Sequence, residues 1–92
     1  MQKYIKTYLD YFDLGEQDLI TCEACGKQGR VDGGGFDIHH IWGRTKPDAD
    51  EITNIMCLCR KHHEAAHKDI SKADMQLIHN FYLQGTRRKF LR

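Results

Sequence analysis

The sequence lacks any apolar run long enough to cross a bilayer, and its start, Met1-Gln2-Lys3-Tyr4-Ile5-Lys6, lacks the apolar core of a secretory leader. A cytoplasmic chain with reduced thiols is therefore expected. Net charge is nearly absent, at +1, so bulk charge does not select a partner. There is a single proline, within the polar stretch 43–53, and there is no internal repeat or low-complexity tract. The run Gly33-Gly34-Gly35 is not followed by Lys-Ser/Thr, which excludes a phosphate-cradling loop of that type. At 92 residues the chain is one small domain near the lower size limit for an unaided core. Domains this small often use a metal or disulfide staple.

What the chain does have is cysteine and histidine in clusters. Four cysteines in a reducing compartment favour metal over disulfides. Five of the six histidines fall in Phe36-Asp37-Ile38-His39-His40-Ile41 and in the segment Cys59 to His67. Charge is also unevenly placed. Lys3 and Lys6 face four acids in residues 1–20, whereas Arg87, Arg88, Lys89 and Arg92 form an acid-free basic tail suited to phosphate contact.

Tyr4, Ile5, Tyr8, Leu9, Tyr11 and Phe12 recur at helical spacing, and Gly15 offers a left-handed stop, so residues 1–15 are expected to form a packing helix. Residues 20–69 hold the cysteines and clustered histidines. Within them, Gln28–Val31 and Phe36–Ile41 read as strands joined across the glycines in a hairpin, and Ile55–Leu58 reads as a buried strand paired with 36–41. Ser71 with Asp74 resembles a helix start, and Met75, Leu77, Ile78, Phe81 and Tyr82 predict a second packing helix over 71–85, followed by the tail 86–92. His79 reads as an ordinary surface or packing residue.

Cys22-Glu23-Ala24-Cys25-Gly26 supplies two thiolates three apart, half of a tetrahedral zinc site. A redox Cys-x-x-Cys would require a strand-to-helix context in a larger α/β fold, which is missing. His63 and His67, four apart on a helix, lie on one face and can reach one cation. His39 and His40 are adjacent, so a regular strand would point them to opposite faces. Either the strand ends there, or one histidine binds metal while the other takes a proton. The combination points to a metal-dependent nuclease.

The ordered set Ile38-His39-His40-Ile41, Asn54 to Cys59, Arg60-Lys61-His62-His63 and His67, with the upstream knuckle, resembles the HNH (ββα-metal) endonucleases over roughly residues 22–68. The resemblance implies an α+β fold with a zinc-knuckle-stabilised ββα core between two helices. It also implies His40 and Asn54 as catalytic positions, with His40 the general base and Asn54 either a brace for the loop or a ligand. His39, His63 and His67 would hold one catalytic divalent cation (Mg, Mn, Ni or Zn). Cys22, Cys25, Cys59 and His62 would hold one structural zinc. His62 stands where a second Cys is commoner, and because His63 adjoins it either could serve either ion. Cys57 is the competing thiol and reads more naturally as a small buried residue. Arg44, Lys46, Arg60 and Lys61 flank the site as candidate phosphate contacts. Trp42 reads as packing. Asp37 is either an orienting partner for a ligand histidine or an exposed strand carboxylate, the latter being the commoner case.

Three imidazoles without a carboxylate form a softer site than magnesium prefers, so Mn²⁺, Ni²⁺, Co²⁺ or Zn²⁺ should bind more tightly than Mg²⁺ by calorimetry. The expected substrate is duplex DNA, with room for a homodimer or another protein partner and no membrane. A non-catalytic zinc module that binds nucleic acid or protein is the competing function. It would need the knuckle but not His39, His40, His63 and His67 together.

Overall fold

The computed structural model describes residues 2–90, with side chains through residue 85. It is an α+β domain with three helices and two small antiparallel sheets among the described residues. The order is α1 (Lys3–Tyr11), β1 (Leu19–Thr21), β2 (Gln28–Arg30), β3 (Phe36–His40), β4 (Ile55–Cys59), α2 (Arg60–Lys68) and α3 (Lys72–Phe90). No helix among the described residues is long and apolar enough to cross a membrane.

Helix α1 buries Tyr8 and Leu9, while Tyr11 turns away and is 43% exposed. Its stop is Asp13, not Gly15. Asp13 adopts φ 56°, and Leu14 N–H bonds Leu9 C=O at 2.9 Å, closing a left-handed cap that aspartate tolerates better than most residues. Gly15 N–H instead donates to the Asp18 carboxylate at 2.6 Å.

The expected hairpin between residues 28–31 and 36–41 does not form. Strand β2 pairs with β1, a three-residue strand that the sequence pattern does not reveal. The knuckle is the turn of that hairpin. Cys22 N–H bonds Lys27 C=O and Gly26 N–H bonds Cys22 C=O, both at 2.8 Å, and Gly26 takes the positive φ of 81° that the turn requires. Gly34 and Gly35 serve to swing the chain from a 3₁₀ turn (Val31–Gly33) into β3.

The expected pairing of β3 with β4 forms; it is antiparallel, with Phe36 opposite Cys59 and His40 opposite Ile55. Every β4 residue is buried because both faces are covered. Ile55 and Cys57 join Tyr8, Leu9, Phe12 and Ile20 in a core under α1. Met56 and Leu58 join Cys22, Ile41 and Met75 in a second core under α3. Alternation alone would keep Cys57 and Cys59 on one face, but Cys59 is the last residue of the strand, where the chain turns into α2, and it joins the second core instead.

Ser71 caps α3 through Asp74 N–H at 3.1 Å. The helix runs past Gly85 to Phe90, so the segment expected to be a tail continues it. The side chains of Arg87, Arg88 and Lys89, and Arg92 altogether, lie outside the described residues.

One buried polar contact ties these layers together. Glu23, inside the knuckle, accepts from Tyr8 O–H at 2.5 Å and from Cys57 N–H at 3.2 Å, and meets His79 Nδ1 at 2.6 Å. Nε2 of His79 donates to Ile52 C=O at 2.5 Å. The Glu23 and His79 side chains are both 0% exposed, so His79 is an interior cross-link and not a surface residue. Burial and the charge of Glu23 push the Tyr8 hydroxyl far above its ordinary range, which keeps it a donor.

Candidate metal centres and active site

Cys22 and Cys25 come from the knuckle, Cys59 from the end of β4 and His62 from the first turn of α2. Their ligand atoms all lie within 4.8 Å of one another. Cys25 Sγ is 4.0 Å from Cys59 Sγ, and Cys59 Sγ is 3.2 Å from His62 Nδ1. Zn–S bonds of about 2.3 Å and Zn–N bonds of about 2.0 Å put tetrahedral ligand atoms roughly 3.3–3.8 Å apart. The cluster can therefore hold a metal such as zinc. Burial opposes ionisation of Cys59, but hydrogen bonds from the His62 side chain and backbone, and from the Cys22 and Cys25 thiols, outweigh it and bring its thiol down to about 6. A thiol that ionises so readily is primed as a ligand. Cys57 is the opposite case. Burial, then the nearby charge of Glu23, push its thiol up, and it faces the α1 core.

His63 and His67 occupy successive turns of α2 and His39 lies across from them on β3, with their ligand atoms also within 4.8 Å. The ring centroids form a near-equilateral triangle of 5.1, 5.1 and 4.8 Å. The Nε2 atoms of His63 and His67 are 3.2 Å apart, the separation two imidazoles take on one ion at about 2.0 Å. Asp37 Oδ2 accepts from His63 Nδ1 at 2.9 Å, which leaves the His63 Nε2 lone pair toward the centre. This is the carboxylate–histidine arrangement that orients metal ligands, so the exposed-carboxylate reading of Asp37 gives way.

His39 is buried, and that burial, followed by the charges of His63, His67, His40 and Lys72, lowers its pKa to about 4. It is neutral, and so ligand-competent, throughout the neutral range. The unfolded chain, with histidine near ~6.5, takes up this proton first. The contribution of His39 to stability is thus complete above about pH 6.5 and lost as pH falls toward 4. Urea melts of protein with the histidine triad metal-free should show this decline between pH 7.5 and 4.5, and His39→Gln should flatten it. Equal slopes in both proteins would contradict the assignment.

His40 ends β3, and the chain then leaves the sheet, with Ile41 N–H bonding Asn54 C=O at 2.8 Å. His39 and His40 consequently line the same cavity of about 520 Å³, with His63, His67, Tyr4 and Arg44 also on its walls. His40 Nε2 meets Asp50 Oδ1 at 2.9 Å, and the Tyr4 ring stands edge-on to the imidazole at 4.6 Å. The Asn54 amide is committed to the 42–49 loop. Its Oδ1 accepts from Trp42 N–H at 3.0 Å, and its Nδ2 donates to the Gly43 and Ala49 carbonyls at 3.2 and 2.8 Å.

The four flanking cations are placed differently from one another. Arg44 lies over the Tyr4 ring, 5.0 Å from its centroid, and donates to the Tyr4 hydroxyl at 3.1 Å. Lys46 sits 5.8 Å from the centroid of the Trp42 ring. Arg60 pairs with Asp37 at 3.2 Å, and Lys61 is exposed. Trp42 is 41% exposed and donates through Nε1 to Gln76 at 2.8 Å, so it is only partly packed. Asp50 and Tyr4 join the site with no sequence spacing to announce them.

No curated protein and no solved structure matches the chain. The family model described as recombination enhancement, RecA-dependent nuclease matches residues 12–92, leaving α1 outside it. The chain belongs to that nuclease family.

Proposed function

We propose that the protein is a metal-dependent endonuclease of the HNH (ββα-metal) type that hydrolyses phosphodiester bonds in DNA. The observation that carries this reading is the convergence of three imidazoles, His39, His63 and His67, on one cavity that His40 also lines. The triad would hold a divalent cation, which neutralises charge on the scissile phosphate and the leaving oxygen. His40 removes the proton of the attacking water, whose oxygen bonds phosphorus as the P–O bond to the leaving group breaks. Asp37 keeps the His63 Nε2 lone pair turned inward. Arg44, at the cavity wall, contributes a guanidinium for the substrate backbone.

A zinc held by Cys22, Cys25, Cys59 and His62 would be structural in this reading. It would join the knuckle to the junction of β4 and α2, from which His63 projects. The family description adds dependence on RecA. Carried to this chain, it gives a nuclease that acts in recombination with RecA as its protein partner, and to this we add duplex DNA as the substrate and a cytoplasmic location, both expected from the sequence.

The test is cleavage of supercoiled plasmid with EDTA, Mg²⁺, Mn²⁺, Ni²⁺ or Zn²⁺, each with and without RecA filaments, for wild type and His40→Ala. Metal-dependent cutting that His40→Ala reduces by about 10²-fold or more is expected, with zinc content and melting unchanged. No cutting in any lane, or undiminished cutting by the mutant, would leave a zinc-binding interaction module as the better reading.

A further inference from the structure

We propose that Asp50 is the positioning residue that sets the tautomer and orientation of His40, and that Asn54 acts on the reaction through it. The proposal rests on the nuclease reading above. A carboxylate oxygen can only accept, so the 2.9 Å contact to Asp50 Oδ1 puts the proton of neutral His40 on Nε2. The lone pair is then on Nδ1, the nitrogen left for water. Without the carboxylate the imidazole can carry its proton on either nitrogen and can rotate away from the Tyr4 ring, which stands edge-on at 4.6 Å.

Asp50 is itself held in place. The residues on either side of it are tied to Asn54, since Ala49 C=O accepts from Asn54 Nδ2 at 2.8 Å and Glu51 C=O accepts from Asn54 N–H at 2.9 Å. Ala49 is buried, and its N–H closes a turn onto Lys46 C=O at 3.1 Å. A continuous path therefore runs from the Asn54 amide through the loop backbone to the Asp50 carboxylate and the His40 ring. Asn54 reaches the base without being a ligand or touching a reacting atom. The Asp50 side chain is 41% exposed whereas that of His40 is 5% exposed, so truncating Asp50 opens no hole in either core. A loss of activity on its removal is thus separable from a loss of fold.

The experiment compares wild type, His40→Ala, Asp50→Ala, Asp50→Asn, Asp50→Glu, Asn54→Ala and the double variant Asn54→Ala/Asp50→Ala in the metal and RecA panel. Asp50→Ala is expected to lower kcat by roughly 10–100-fold, with KM for DNA within about twofold and zinc content and Tm unchanged. Asp50→Asn should not restore the rate, because its amide can donate to Nε2 and select the wrong tautomer. Asp50→Glu should recover part of it. The double variant should be no slower than the slower single variant, as expected for two residues on one path. In ¹⁵N spectra of histidine-labelled protein, His40 should be the Nε2–H tautomer in wild type and a mixture in Asp50→Ala.

Wild-type kcat in Asp50→Ala while His40→Ala is inactive would overturn this proposal and leave the nuclease reading standing. A loss confined to KM, or one accompanied by loss of zinc or of Tm, would overturn it as well. Absence of cutting by wild type under every condition would remove the nuclease reading and this proposal together.

Discussion

Cys59→Ser is expected to abolish zinc binding and with it the cooperative melt of the domain. Cys59 contributes to the metal cluster at the point where β4 becomes α2, between a knuckle on one hairpin and His62 on the helix. Metal at such a site is worth about 10–16 kcal/mol in apparent folding free energy. A 92-residue domain has a total stability of only about 5–14 kcal/mol. The metal term is therefore as large as the whole margin, and without it the two cores and two two-stranded sheets are left with no stability to spare. Cys57→Ser is the control. Its side chain lies in the α1 core, so it should keep its zinc and lose only about 1–3 kcal/mol for burying a hydroxyl. His67→Ala, in the other centre, should also keep the structural zinc. Zinc content by mass spectrometry and thermal melts by circular dichroism separate the three variants. A Cys59→Ser protein that retains zinc and melts cooperatively would defeat the assignment.

The parts of this molecule that were legible in its sequence are those in which chemistry demands rare residues at fixed spacing. The β3–β4–α2 unit is announced by paired histidines, a short apolar run and a helix with histidines four apart, and the structure forms it with the expected pairing. The β1–β2 hairpin was hidden because its strands are three residues long, too short for alternation to register. The glycine run misled because Gly34 and Gly35 do adopt positive φ, but to redirect the chain and not to close a hairpin. Asp13 took the role expected of Gly15 for a related reason, since more than one residue type can occupy a left-handed cap. Asp50 and Glu23 could not be read at all, and for Asp37 and His79 the sequence raised a role without naming the partner. Each is defined by a partner at least 10 positions away in the chain, and one sequence carries no trace of such pairings.

His79→Leu is expected to cost about 3–5 kcal/mol of stability, several times the cost of an ordinary substitution, although His79 touches neither metal cluster. It leaves Glu23 Oε1 without its partner inside a fully buried contact and orphans the Ile52 carbonyl. The chemistry of the replacement at Glu23 then decides the outcome. Glu23→Gln can still accept from Tyr8 O–H and Cys57 N–H with its oxygen while its amide donates to His79 Nδ1. Every buried group keeps a partner in that arrangement, so the loss should be small, about 1 kcal/mol. Glu23→Ala satisfies none of them and should approach the His79→Leu cost or exceed it. Because the two residues share one contact, the double variant Glu23→Leu/His79→Leu should lose less than the sum of its singles. Urea denaturation of zinc-loaded protein measures all of these. A His79→Leu loss below 1 kcal/mol, or strict additivity in the double variant, would mean that the two hydrophobic cores alone hold α1, the knuckle and α3 in register. The predicted costs instead assign that task to Glu23, whose carboxylate reaches Tyr8 on α1, Cys57 on β4 and His79 on α3 from within the knuckle.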